Sequence, residues 1–155
     1  MGSKYTVIRD TQEKKGWIFP QSEYCQGVVD LKLPTGDYTL VGLEKILCIE
    51  RKGTVAEFAQ NITSVRFHKE LERMRLFKYA YLLLEFTMED LLRFPVGAAL
   101  PAYIKRKIKV RGPFILLKYI EYTHKYPNMN IILCGKHGQE VARSIFRRVL
   151  ENESD

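Results

Sequence analysis

The chain has 155 residues, 46% hydrophobic and 12% aromatic, which supplies one core and leaves no room for a second domain, so residues 1–155 are expected to form a single domain. Its 25 lysines and arginines outnumber 18 acidic residues, for a net charge of +7; this fits a polyanionic partner and equally a solubilising surface. Three scattered cysteines exclude a disulfide framework, and no apolar run reaches the roughly 18 residues of a membrane span, so we expect a cytoplasmic protein with reduced thiols.

The first third of the chain predicts four strands. They cover Tyr5–Arg9 and residues 28–33, 37–41 and 46–52, each bounded by glycine, proline or polar residues. The four residues 42–45 between the last two strands read as a hairpin turn. These segments indicate an antiparallel start to a sheet.

Two amphipathic helices are expected next. Thr54 is a candidate N-cap, and Glu57 follows three residues later as in a capping box. The predicted inward face of the first helix consists of Val55, Phe58, Ala59 and Ile62. In the second helix Phe67, Leu71, Met74 and Phe77 recur at helical spacing, and the charged residues between them, Glu70 and Arg73 included, are assigned to solvent.

The second half of the chain predicts alternating strands and helices. Residues 79–86 and 130–134 are apolar enough for buried strands. Gly112 and Pro113 begin a helix that ends near Tyr126, and a final helix follows Gly138. The inward faces are predicted to consist of Phe114, Leu117 and Ile120 in the first of these helices and of Val141, Ile145 and Val149 in the second. Residues 87–112 receive no assignment. The order predicts an α/β fold with a mixed central sheet flanked by helices.

The predicted hairpin of residues 37–52 contains the candidate catalytic residues. Side chains alternate along a strand, so Glu50 and Lys52 share one face and Arg51 points to the other. A symmetric turn pairs residue 41 with residue 46, which places Asp37 opposite Glu50. Two opposed carboxylates repel each other, and a divalent cation between them removes that penalty. Mg²⁺ or Mn²⁺ is the cation that such oxygen ligands prefer.

Lys52 beside a cation is suited to hold an attacking water or to neutralise charge on a phosphoryl oxygen. Those are the parts needed for phosphodiester hydrolysis. An acid followed at a distance by Glu-x-Lys is nevertheless a loose pattern, which a solvated strand end also satisfies.

Two longer motifs favour the catalytic interpretation over a solvated strand end. Gly36-Asp37-Tyr38 and Glu50-Arg51-Lys52 resemble the GDY…ERK signature of the XPF and Hef structure-specific endonucleases, within the PD-(D/E)xK superfamily. Residues 10–13, Asp-Thr-Gln-Glu, are similar to the DxRE motif of that family, and Arg66-Phe67 and residues 83–86 match later segments. The resemblance covers residues 7–150 and implies a restriction-endonuclease-like core.

The resemblance also implies roles for individual residues. Asp37, Glu50 and Asp10 would be metal ligands, Glu13 would complete the acidic site, and Lys52 would be the catalytic lysine. Arg51 would orient the site or bind phosphate. Two positions depart from the pattern: Gln12 replaces the usual arginine, and Ala56 replaces an acid, for which Glu57 could substitute only if the helix start shifts by one residue.

DNA is the expected partner. The candidate contacts are Arg66 and a basic cluster of Lys105, Arg106, Lys107, Lys109 and Arg111, although a basic loop is as often simply solvated. The family resemblance implies homodimerisation through the nuclease domain, with the apolar faces of the last two helices as candidates. No chain is left for a helicase region or a helix-hairpin-helix module, so we expect an isolated nuclease domain.

The leading hypothesis is therefore a Mg²⁺- or Mn²⁺-dependent endodeoxyribonuclease that cuts branched, flap or fork DNA in repair or recombination. The first alternative is a catalytically weak, nuclease-like subunit that binds DNA or scaffolds a partner, which the departures at Gln12 and Ala56 favour. The second is a restriction-type nuclease that reads a base sequence on the same core.

Overall fold

In the computed structural model, which describes residues 3–154, the chain forms a six-stranded mixed sheet with helices on both faces. The strands are β1 (Tyr5–Arg9), β2 (Cys25–Asp30), β3 (Tyr38–Leu40), β4 (Leu47–Lys52), β5 (Tyr79–Leu84) and β6 (Met129–Leu133). The helices are α1 (Val55–Ile62), α2 (Val65–Met74), α3 (Met88–Arg93), α4 (Ala102–Lys107), α5 (Gly112–Lys125) and α6 (Gly138–Glu153).

The strand order across the sheet is β2-β1-β3-β4-β5-β6. Strand β3 is antiparallel to both β1 and β4, whereas β4, β5 and β6 run parallel. This confirms the predicted mixed sheet. The expected antiparallel start is wrong in one respect, because β2 pairs with β1 in parallel. Residues 10–24 between them form a connection long enough to bring the chain back to the start of β1, and local strand patterns do not report that return.

The β3–β4 hairpin has the predicted register. Tyr38 pairs with Ile49, and the Asp37 amide donates a hydrogen bond of 2.8 Å to the Ile49 carbonyl. The same register places Asp37 opposite Glu50 at the end of the hairpin where β4 finishes. The sheet thus brings two acidic side chains to one edge of the domain.

Apolar layers cover both faces of the sheet. Helices α1, α2 and α5 pack on one face, where Phe58, Leu71 and Tyr122 are buried. Helix α6 packs on the other face, where Phe146 and Ile49 are buried. Within residues 3–154 no helix combines the length and the apolar character needed to cross a membrane.

Helix α1 follows its prediction closely. Thr54 is the N-cap, its hydroxyl accepts a hydrogen bond of 3.1 Å from the Glu57 amide, and the buried residues are the four predicted ones. The Glu57 carboxylate accepts instead from the Gly53 amide at 3.0 Å. In α2 the three buried residues are also as predicted, and Phe77 lies beyond the end of the helix.

The prediction for α5 is wrong. Phe114, Leu117 and Ile120 are 42%, 69% and 43% exposed, while Ile115 and Tyr122 face the core. The cause is a close backbone approach: a Cβ on Gly112 would collide with the carbonyl oxygens of the last turns of α3. Docking of α5 against α3, a helix in the segment that received no assignment, sets the rotation of α5. A continuous apolar stripe is left on the surface.

Candidate active site

A cleft of about 300 Å³ opens at the carboxyl end of β4. It lies between the end of β1, the loop that precedes β3, and helices α1 and α2. Its polar and charged lining consists of Asp10, Gln12, Glu13, Thr35, Asp37, Glu50, Arg51, Lys52, Glu57, Ser64, Arg66, Glu70 and Arg73. All six residues predicted to be catalytic, together with Arg66, therefore meet in one cavity.

The turn of the GDY motif is shaped by a glycine whose replacement would strain the backbone. Gly36 has φ +83°, and a Cβ at this position would lie 2.5 Å from the Cys48 sulfur. The turn brings a carboxylate oxygen of Asp37 to within 2.8 Å of the Arg51 amide, from which it accepts a hydrogen bond. The side chain of Asp37 is thereby fixed against the end of β4, beside Glu50.

Asp10 ties the end of β1 to this site. Its amide donates to the Asp37 carbonyl at 2.8 Å. Its carboxylate accepts hydrogen bonds from the Leu33 amide at 2.8 Å and from the Gln12 amide at 3.3 Å. The side chain is buried. Asp10 thus holds two loops at the rim of the cleft.

The cleft concentrates negative charge away from water. Burial raises the pKa of Asp37 to about 6; the hydrogen bond from the Arg51 amide and the charge of Lys52 oppose this rise, and the charge of Asp10 adds to it. Burial, with the charge of Asp37, raises the pKa of Glu70 to about 7. Crowded, desolvated carboxylates of this kind are suited to a hard divalent cation, which stabilises their ionised forms.

The donor set fits such a cation in its chemistry. Asp37, Glu50 and Asp10 supply carboxylate oxygens, the ligands that Mg²⁺ and Mn²⁺ prefer. Among residues 3–154, however, no three acidic, histidine or cysteine side chains are grouped closely enough to hold a metal ion by themselves.

Lys52 is the buried base of the cleft. Its ζ nitrogen lies 5.0 Å from the centroid of the Phe67 ring. Burial lowers the pKa of Lys52, and the charges of Glu57 and Asp37 counteract that effect. The ammonium group therefore lies in a poorly solvated place within the electrostatic influence of these carboxylates, where it interacts strongly with any phosphate that enters.

Arg51 points to the opposite face of the sheet, as the strand alternation predicts. Its guanidinium forms ion pairs with Glu85 and, at 3.2 Å, with Glu13. It also stacks 4.7 Å above the Trp17 ring. The Tyr38 hydroxyl donates to the same Glu13 oxygen at 2.8 Å. These contacts favour the orienting role for Arg51 over phosphate binding, and they give Glu13 a supporting position in the wall of the cleft.

Three charged residues in the cleft were missed or misassigned by sequence reasoning. Helical periodicity assigns Glu70 and Arg73 to the solvent face of α2, and Glu57 is expected to replace the missing acid only if the helix start shifts. In the structure all three line the cavity, and α1 begins at Val55. The available signal was helical spacing, because Arg66, Glu70 and Arg73 form an i, i+4, i+7 stripe beside the buried one.

The basic cluster lies apart from the cleft. Lys105, Arg106 and Lys107 belong to α4, none of whose residues is buried, and Lys109 and Arg111 follow in an exposed connection. None of the five lines the cavity. They form a separate basic surface, anchored by Ile108 and Val110, which pack against the core.

The mixed sheet, its flanking helices and the acidic cleft with a buried lysine at the end of β4 define an α/β fold of the restriction-endonuclease-like type. No protein-family profile matches the chain, and no curated protein sequence matches it. Among solved structures it is similar to XPF from Aeropyrum pernix, with a TM-score of 0.62 and 16% identity over 96% of this chain and 66% of that one. It is also similar to the complex of Aeropyrum pernix XPF with DNA, with a TM-score of 0.62 and 17% identity over 98% and 68% of the two chains.

The chain therefore has the fold of an XPF-type nuclease domain and spans about two thirds of the length of the XPF chains it matches. At this identity the likeness establishes the fold. The chemistry depends on the residues of the cleft.

Proposed function

We propose that the chain is a metal-dependent endonuclease that hydrolyses phosphodiester bonds in DNA. The observation that carries the proposal is the convergence of Asp37, Glu50 and Lys52 in one cleft at the end of the β3–β4 hairpin. Two acids and an amine at one point match the needs of phosphoryl transfer to water, which are charge neutralisation and positioning.

Asp37 and Glu50, with Asp10, would hold Mg²⁺ or Mn²⁺. A bound cation lowers the pKa of water and neutralises charge on the scissile phosphate. Lys52 donates hydrogen bonds to the phosphoryl oxygens or holds the attacking water in line. Arg66 and Arg73, on the α2 side of the cleft, attract the DNA backbone toward these groups.

The proposed substrate is branched, flap or fork DNA, in repair or recombination. Support comes from the motif resemblance and from the similar fold of an XPF structure that was solved in complex with DNA. The exposed basic cluster around α4 is a second candidate surface for phosphate contacts.

A homodimer is part of the proposal. The stripe of Phe114, Leu117 and Ile120 on α5 is exposed and borders a surface groove with Lys118 and Glu121. Apolar residues rimmed by charges are typical of protein interfaces. A second copy that covers this stripe would remove it from water.

A catalytically weak DNA-binding or scaffold subunit is the second candidate. It is favoured by the uncharged Gln12 at the cleft, by Ala56 in place of an acid, and by the lack of a ready three-residue metal group within residues 3–154. Under this alternative the cleft binds DNA, and the protein hydrolyses it slowly or not at all.

Cleavage assays separate the two candidates. Wild-type protein with Mg²⁺ or Mn²⁺ is expected to cut flap and fork DNA, and Asp37→Asn and Lys52→Ala each to reduce the rate by about 10²-fold or more. Lys69→Ala, which removes an exposed charge from α2 outside the cleft, is the matched control and should cut like wild type. Equal background rates for wild type and both cleft variants would eliminate the endonuclease proposal. Discrete fragments from linear plasmid DNA would instead indicate sequence reading.

A further inference from the structure

A second groove lies on the face of the sheet that α6 covers. It measures about 420 Å³ and runs between α6 and the segment that leads into β2. Two arginines one turn apart, Arg143 and Arg147, line it together with Tyr24 and Phe19. None of these residues takes part in the candidate active site.

Both arginines are held over aromatic rings. The guanidinium carbon of Arg147 lies 3.7 Å from the centroid of Tyr24, and that of Arg143 lies 6.0 Å from the centroid of Phe19. A stacked guanidinium is restrained in position but keeps its in-plane N–H donors for a ligand. The side chains are therefore organised before anything binds.

The two charges are not neutralised within the protein. In the part of the chain from residue 3 to residue 154, neither arginine forms an ion pair with an acidic side chain. Glu140 also lines the groove, but its carboxylate lies 3.7 Å from the His137 ring. The neighbouring Arg148, by contrast, pairs with Glu151 at 3.3 Å. Two guanidinium groups that each lie over an aromatic ring and have no acidic partner fit phosphate oxygens, which arginine binds through paired N–H groups.

The position of the groove limits the form of the nucleic acid. Strand β1 begins with Tyr5 at the groove, and Asp10 at the cleft directly follows its last residue; the five-residue step corresponds to about 17 Å of extended chain. The groove shares Tyr5 and Phe19 with the core under α6, whereas the cleft lies on the face that carries α1 and α2. A stiff duplex does not follow such a path around the edge of a small domain without a bending cost. A flexible single strand that leaves a junction can follow this path without that bending cost.

We propose that the groove between α6 and β2 binds the backbone of a single-stranded arm of branched DNA whose junction lies in the cleft. Arg143 and Arg147 hold adjacent phosphates, and the outer face of the stacked guanidinium of Arg147 accepts an unpaired base. The groove thus gives the protein a preference for forked over linear DNA. This inference rests on the proposed function for its junction, but its test does not require cleavage.

The test is fluorescence anisotropy with a forked DNA that has one labelled single-stranded arm, and with a linear duplex of equal length, in EDTA. The variant Arg143→Gln/Arg147→Gln is expected to bind the fork at least tenfold more weakly than wild type and to lose most of the preference for fork over duplex. The slope of log affinity against log salt should fall by about 1.4, or about 0.7 for each lost phosphate contact to a single strand. Arg148→Gln removes one charge from the same helix outside the groove and should change fork affinity less than twofold.

A double variant that binds the fork as tightly as Arg148→Gln does would overturn the inference. An equal loss of affinity for the linear duplex would also overturn it.

A second measurement uses wild-type protein alone: a bromodeoxyuridine in the arm, cross-linked by light, should attach to the peptide that contains Tyr24. Attachment only to peptides of the cleft or of α4 would exclude the groove. If wild type binds forks through these arginines but cuts no DNA, the proposed function fails while the inference stands.

Discussion

Asp37 is a partly buried carboxylate whose ionisation costs free energy in the metal-free protein. Its folded-state pKa of about 6 lies above the ordinary value of 3.8, chiefly because of burial. A group raised in this way contributes stability that is fully present below pH 4 and is lost as the pH rises through about 6. Between these values the folded protein binds the proton more tightly than the unfolded chain does.

The substitution Asp37→Asn should therefore stabilise the metal-free protein at pH 8. We expect the free energy of unfolding to rise by up to roughly 3 kcal/mol, because burial raises the pKa of Asp37 from 3.8 to about 6, each pKa unit corresponds to about 1.4 kcal/mol, and the amide oxygen still accepts the Arg51 hydrogen bond. The gain should shrink toward zero near pH 4. Urea unfolding in EDTA at pH 4, 6 and 8 measures it, with the exposed Glu44→Gln as control. A gain that is independent of pH would contradict the assignment.

Gly36 offers a second test at the level of one residue. Gly36→Ala combines a positive φ with a Cβ placed 2.5 Å from the Cys48 sulfur, and the loss should be about 2–4 kcal/mol. Gly97 is a matched control, because its φ is +84° but nothing lies within 4 Å of its Cβ position. Gly97→Ala should cost only the backbone strain, about 1–2 kcal/mol. Equal losses in urea unfolding would show that the contact with β4 does not matter.

Among the secondary-structure elements, α5 is the helix that leaves large apolar side chains exposed to water. Its inward residues Ile115 and Tyr122 are buried, but the opposite stripe exposes large apolar side chains to water. Such a stripe on a monomer promotes association. The proposed dimer would therefore depend on the rotation that α3 imposes on α5.

Leu117→Glu separates association from folding. Leu117 is 69% exposed, so the stability of the monomer should change by less than about 0.5 kcal/mol. A charge on the stripe should convert a dimer into monomers, as measured by sedimentation equilibrium. Ile115→Glu, at a fully buried position of the same helix, should unfold the protein. A wild-type chain that is monomeric at all concentrations would refute the dimer.

At the scale of the whole molecule, the net charge of +7 is unevenly distributed. The cleft is lined by six acidic and four basic side chains, while the α4 cluster and the groove beside α6 carry free positive charge. A divalent cation should bind the former and DNA the latter. The overall positive field would draw DNA toward a site that is itself acidic.

Cation binding should accordingly stabilise the native protein. At a Mn²⁺ concentration 100 times the dissociation constant, the expected gain is about 2.7 kcal/mol, visible as a rise in Tm. The rise should be larger at pH 8 than at pH 5, because protons compete for Asp37, whose pKa is about 6. It should be absent in Asp37→Asn. A rise in Tm that persists in this variant would place the cation elsewhere.

Much of the site could be predicted from local rules. Strand alternation separates Lys52 from Arg51, and a four-residue turn sets the register that faces Asp37 toward Glu50. The Thr54 cap and the buried face of α1 follow from helical spacing and hydrogen bonding within one turn. These features depend on residues close in sequence, so the amino-acid order determines them directly.

Only the tertiary structure decided the features that depend on distant partners. The contact of Gly112 with α3 turned the apolar stripe of α5 outward. The packing of α2 over the end of β4 brought Glu70 and Arg73 into the cleft, where their periodicity had indicated solvent. Periodicity shows that a helix has a polar face, but not which other element that face meets. That is settled by the close packing of backbones far apart in the chain.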